Sequence, residues 1–331
     1  MKKGLIILLM LSFSFPDGAG TVGAEWLRLE TGIRSVGMAG AQTAAGRGVS
    51  SISYNPANLG YVLDEETFFN KTNYLSDISH STFGYAKRIN FADVVAVNMF
   101  FFDSGWMDET REGPDENEPG ELGQYKTYFL SAQAAFAKSI TDYLKVGATA
   151  KYIREDIEYS TAQTIAFDIG VNYDLGFLGF VLGASLNNIG PGTIKHGGKA
   201  LEEAVSSDEN PEEILVNTTE SFDLPTDLRL GVEVQVMGED KRAFVTNDLL
   251  GVLVAADIIK PIEDNLYISL GTELSWFNRY YIRGGIHAGK DYDAGLSAGL
   301  GLRYKAIEID YALSQYEDLG LTGQFGIKLK F

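Results

Sequence analysis

The chain has 331 residues, 45% of them hydrophobic, with a formal net charge of −18 and no cysteine. The missing cysteines exclude a disulfide framework, a thiolate metal site and a cysteine nucleophile, and the acidity argues against nucleic acid as a partner. No apolar run approaches the roughly 20 residues of a membrane helix, whereas a membrane barrel, in which every second residue of a strand faces lipid, fits the composition.

Lys2 and Lys3, the apolar run Gly4 to Phe15 and the small residues after it predict a secretory signal. Cleavage is expected after Ala19, Gly20 or Ala24, so the signal covers residues 1–20 or extends to 24. The stretch Gly32 to Gly60 is dominated by glycine and alanine. It has too little apolar side chain to offset its own ordering entropy, but it can pack closely inside something that surrounds it. Residues 21–62 are therefore expected to form a plug, and residues 63–331 the barrel around it.

Fourteen strands are predicted: Glu66–Tyr74, Ser81–Arg88, Ala92–Phe102, Tyr125–Lys138, Leu144–Asp156, Gln163–Asp174, Phe180–Asn188, Asp227–Val236, Leu250–Ile259, Leu266–Trp276, Tyr280–Ala288, Ala294–Tyr304, Ile307–Leu313 and Leu321–Phe331. The alternation is clearest near the end. Leu321, Phe325, Ile327, Leu329 and Phe331 share one face, while Thr322, Gln324, Lys328 and Lys330 share the other. Side chains alternate across a strand, so one surface is apolar and the other polar or small. Strand length, aromatics near strand ends (Tyr173, Trp276, Tyr280, Tyr304, Tyr311, Phe331) and alternating short and long connections favour a membrane barrel over a soluble sandwich. The fold expected is thus all-β: a 14-stranded antiparallel transmembrane β-barrel with an N-terminal plug, in a bacterial outer membrane, with N- and C-termini in the periplasm. Turns such as Thr141–Tyr143 and Lys305–Ala306 fall on the short side. Met237–Leu249 is long for that side. The long side carries acidic loops, Asp103–Glu121 with net charge −7 and Gly192–Pro225 with −6.

Several motifs in order, Arg34–Ala41 (RSVGMAGA), Tyr54–Gly60 (YNPANLG), Ala166–Gly176, Leu182–Gly190, Leu224–Gly231, Gly295–Tyr304 and Ile309–Leu313, resemble the PorV/PorQ-type, FadL-like family of outer-membrane barrels. The chain departs from the family's pattern at Gly46-Arg47-Gly48 and at Asn58. The resemblance implies a plugged fourteen-stranded barrel. FadL-type members take up long-chain fatty acids and other hydrophobic molecules, and PorV-type members serve protein secretion.

Candidate sites follow from breaks in the alternation. Phe100, Phe102, Trp106, Met107 and Phe129 are expected to form an apolar pocket at the outer mouth, or else an aromatic girdle. Arg34 and Arg47 in the plug are expected to pair with lumen carboxylates, and Asn55-Pro56-Ala57 to act as a hinge or a rigid turn. Asp115, Glu116, Glu118 and Glu121 lie close in sequence without a calcium-loop pattern. His80, His196 and His287 are placed at an outer turn, in an acidic loop and near a strand end, outside any catalytic or metal spacing. No cofactor or metal is expected, and no enzymatic activity. The expected partners are outer-membrane lipid and lipopolysaccharide, the barrel-assembly machinery through the strand ending in Phe331, a hydrophobic ligand, and secretion-system proteins. The leading function is passive transport of hydrophobic small molecules, the alternatives being a secretion accessory barrel or a structural surface barrel.

Overall fold

The computed structural model describes residues 22–74, 77–111, 120–190, 193–207, 210–289, 295–316 and 320–331, and leaves out the side chains of 110–111, 120–122 and 199–217. The signal segment and the acidic residues Asp115, Glu116 and Glu118 lie outside the described residues, as does the side chain of Glu121.

Fourteen antiparallel strands close into one barrel: β1 (Glu65–Asn73), β2 (Ser79–Arg88), β3 (Asp93–Asp103), β4 (Thr127–Ser139), β5 (Leu144–Ile157), β6 (Ser160–Asp174), β7 (Phe180–Ile189), β8 (Asp227–Gly238), β9 (Leu250–Pro261), β10 (Tyr267–Trp276), β11 (Tyr280–Gly289), β12 (Gly295–Tyr304), β13 (Ile307–Tyr316) and β14 (Gly320–Lys330). The seam between first and last strands is fully paired, from Glu66 opposite Lys330 to Asn73 opposite Gly323. Closure leaves no unpaired strand edge, as the lipid interior requires of any spanning sheet.

The alternation dictates which side faces out. Leu300, Ile282, Leu296 and Phe325 are about half exposed on the outer wall, while Gln324, Asp257, Asp168 and Arg283 are buried inside. This inverts the arrangement of a water-soluble protein and makes the barrel a membrane-spanning one. Outward Phe83, Met99, Tyr152 and Phe167 flank small residues Ala132, Ala134 and Ala150, leaving an apolar groove of about 560 Å³ on the lipid face.

The strands bring the barrel's start and its end together at the short-turn mouth, where Phe331 N donates to Glu65 O at 2.9 Å. The segment ahead of the barrel begins elsewhere. Val22 bridges to Asp223 and Gly23 N donates to Asp223 O at the long-loop mouth. From there the chain runs down through the lumen to Tyr61. The first described residues thus lie at the mouth opposite the end of β14.

Three expectations change. The long loops carry β-hairpins, Met107–Arg111 with Gly120–Tyr125 and His196–Ser207 with Asn210–Thr218, where plain loops were expected. His80 lies within β2 opposite Thr72, inward and 1% exposed, because β2 begins two residues earlier than the alternation suggested. The long turn after β8 folds back on itself. Val245 and Thr246 pair in parallel with the end of β8, and Phe244 packs edge-on to Phe180. Arg242 bridges Asp240 and Asp174, and its hydrogen bonds hold the Asp240 carboxyl below the usual carboxylate range.

Candidate functional site

Inside the barrel, residues 31–62 lie against the wall almost without exposure. Wall glycines make this close approach possible. A Cβ on Gly285 would sit 2.4 Å from the Met38 carbonyl carbon, and one on Gly183 would sit 2.4 Å from Thr43 O. Similar contacts at Gly147, Gly170 and Gly271 trace the path of the segment around the wall. Small residues on both surfaces are therefore needed, which explains the glycine and alanine content of Gly32 to Gly60.

Wall carboxylates hold the segment in place. Asp257 Oδ2 accepts from Gln42 N and Thr43 N at 2.8 Å each and from Thr43 Oγ1 at 2.7 Å. Arg34 makes a forked pair with Glu273 at 2.8 and 3.1 Å and also donates to Gln42 Oε1 and Ala45 O. Arg47 donates to both oxygens of Glu233 at 2.6 Å and lies over the Tyr61 ring. Breaking one partner of such a buried pair costs about 3–5 kcal/mol, because the other charge is left uncompensated.

Asn55 starts the 3₁₀ turn Pro56–Tyr61 in an extended conformation, and its Oδ1 accepts from Ala57 N at 3.0 Å. Its Nδ2 donates to Thr43 O at 2.8 Å. Asn55, Pro56 and Ala57 are all buried, so the motif is packed into the wall on both sides. Below it, Arg34, Arg47, Glu273, Arg283, Arg303, Glu308, Lys328 and Lys330 line a charged cavity of about 300 Å³ at the short-turn mouth.

At the long-loop mouth the aromatic residues gather around Trp26. Its ring stacks on Phe100 at 5.4 Å and on Phe129 at 5.5 Å, while Phe102 stacks on Phe129 and His80 on Phe100. Phe100, Phe102 and Phe129 thus come together on the inner face. Trp106 and Met107 do not join them: Trp106 is 65% exposed with Lys126 over its ring, and Met107 opens the hairpin Met107–Arg111/Gly120–Tyr125.

Sequence reading missed Trp26. Its indole Nε1 donates to Glu155 Oε1 at 2.6 Å, and Glu155 Oε2 lies 2.8 Å from His196 Nε2. His196 Nδ1 is 3.2 Å from Ser160 Oγ. A Ser–His–Glu order also serves nucleophilic catalysis. Here the carboxylate is shared with an indole, and His196 opens the strand that pairs with β6. The arrangement staples the start of the hairpin His196–Ser207/Asn210–Thr218 to both wall and segment. Among the described residues no cluster of His, Asp or Glu is arranged to hold a metal ion.

The geometry defines a closed membrane-spanning barrel with residues 31–62 packed against its inner wall. Solved structures with this fold include the Pseudomonas putida toluene transporter TodX, with 13% identity over 91% of this chain and 96% of that one and a TM-score of 0.60. A Pseudomonas aeruginosa FadL homologue matches at 12% identity, 91% and 98% coverage and a TM-score of 0.59. A monoaromatic hydrocarbon channel, a TodX deltaS2S3 mutant, matches at 12% identity, 91% and 99% coverage and 0.60. At these identities the likeness is one of fold. No family model and no curated sequence matches the chain.

Proposed function

We propose that the protein is an outer-membrane conduit for hydrophobic small molecules, held shut in this state by its N-terminal segment acting as a plug. The observation that carries this reading is the inward aromatic cluster. Stacked rings face away from lipid, and Trp26 occupies the space between Phe100 and Phe129 as an apolar solute would. An acyl or aromatic solute gains about 0.8 kcal/mol per buried CH₂ in such a place. Neighbours of the same fold include a toluene transporter and a FadL homologue, which supports the class of cargo. In this reading a signal peptide directs export, the strand ending in Phe331 is read by the barrel-assembly machinery, and lipopolysaccharide surrounds the long-loop mouth.

The test is uptake of a hydrophobic fluorescent probe by cells producing the chain. Phe100→Arg or Phe102→Arg is expected to abolish uptake while the barrel still assembles; unchanged uptake in both variants would sink the pocket.

A second reading is favoured by one observation. The segment is tied to the wall by several buried pairs, from Arg34–Glu273 to Arg47–Glu233. A barrel sealed this firmly suits a PorV-type accessory of a secretion system, whose partners would co-purify with it from gently solubilised membranes.

A further inference from the structure

On one side of the lumen the wall is tied to the segment by side-chain hydrogen bonds, although Asn187 Oδ1 and Asp257 Oδ1 are unpartnered there. On β6 to β10 this is the work of Asn172, Ser185, Glu233, Asp257 and Glu273. The side formed by β14, β1, β2 and β3 differs. Polar ties to the segment on these strands come from their short-turn ends, through Lys328, Glu66 and Arg88.

Above them, Gln324, Asn70, Thr72, His80, Thr82 and Asn98 form one patch. Thr72 faces Gln324 and His80 across the ladder, and Asn70 faces Thr82. All six are at most 2% exposed. Eight of their side-chain atoms find no hydrogen-bond partner in the protein: both ring nitrogens of His80, both amide atoms of Asn70, the hydroxyls of Thr72 and Thr82, Asn98 Oδ1 and Gln324 Oε1. A dry, unmet polar group costs about 1–3 kcal/mol. Eight of them would consume a stability that is only about 5–15 kcal/mol in an ordinary domain. Water could meet these groups. A void of about 20 Å³ adjoins the patch beside Asn70, and a single water needs about 10–15 Å³.

We propose that this strip is a hydrated seam, and that it is the route by which an uncharged amphiphile passes the N-terminal segment. The proposal rests on the conduit reading above. The segment can part from this wall without breaking hydrogen bonds to the patch, whereas on the opposite wall it would have to break several. The patch also sets the class of solute. It offers neutral donors and acceptors beside the stacked rings of His80 and Phe100. It offers no free cation, since Lys328 is committed to Ser50 and Lys151 to Asp168. An alcohol or other neutral head is matched there, and a carboxylate is not.

Because the chain has no cysteine, single cysteines report the seam directly. Thr82→Cys and Asn70→Cys are compared with Ala255→Cys and Ile259→Cys on the tied wall, both 1% exposed and without a side-chain hydrogen bond to lose, in the full barrel within outer-membrane vesicles. The reagent is 2-hydroxyethyl methanethiosulfonate. Labelling is expected to be at least ~10-fold faster on the seam wall, corresponding to about 1.4 kcal/mol in opening. At pH 8, 1-octanol is expected to slow labelling of Thr82→Cys, and octanoate to leave it unchanged. Equal rates on the two walls overturn the seam, and equal protection by octanoate overturns the uncharged class. Equal rates with probe uptake intact leave the conduit reading standing; fast seam labelling without any uptake removes the conduit reading, and the route with it.

Discussion

At the scale of single residues, Asp257 carries the heaviest share of the segment's hydrogen bonding. One oxygen serves two backbone N–H groups and a hydroxyl. Asp257→Ala leaves three buried donors without an acceptor, at about 1–3 kcal/mol each. A cysteine at Ala45, fully buried in the parent, is expected to label at least ~10-fold faster in the Asp257→Ala background. Asp257→Asn keeps an amide oxygen and should fall between the two; an unchanged rate in Asp257→Ala would show that the segment is held by packing alone. Trp26 makes the same point from the other mouth. Its stacking partners are 74 and 103 residues away in the chain and its hydrogen-bond partner 129, so no local pattern announces it.

At the scale of elements, the strands were the legible part. Period-two alternation locates all fourteen, since a spanning strand must present lipid with one face and the lumen with the other. Their ends were less clear, because polar residues at a mouth satisfy either environment; β2 lengthened for that reason and drew His80 inside. The hairpins at the long-loop mouth were illegible, as their acidic sequences carry no sustained period-two alternation. The segment was legible as a small-residue stretch without a core of its own. A further signal lay unused in the wall: glycines at inward positions of successive strands, which mark where a second backbone comes close. Gly284 and Gly285 provide an internal control. A Cβ at Gly285 meets the Met38 carbonyl carbon at 2.4 Å, while one at Gly284 meets nothing within 4 Å. Gly285→Leu is expected to dislodge the segment and expose it to an added protease, with Gly284→Leu as resistant as the parent. Equal resistance in both would place the segment elsewhere in the lumen.

For the whole molecule, charge and polarity are sorted by depth. The long-loop half holds the aromatic cluster and, beside it, the neutral patch, the middle holds the tied segment, and the short-turn mouth holds the charged cavity. Under the conduit reading a hydrophobic solute at the long-loop mouth meets stacked rings edged by Glu155 and His196, and at the short-turn mouth the interleaved charges of the cavity. Sequence gave the sorting only in part. Phe100, Phe102 and Phe129 were readable from alternation, but the ring that joins them comes from the far end of the chain. The most direct test of a gated hydrophobic conduit compares intact cells that produce the protein with cells that lack it, following entry of a hydrophobic fluorescent probe across the outer membrane. The account predicts faster entry with the protein, faster again with Gly285→Leu, and a return to the background rate with Phe100→Arg. Entry at the background rate for the parent and for Gly285→Leu alike would contradict it.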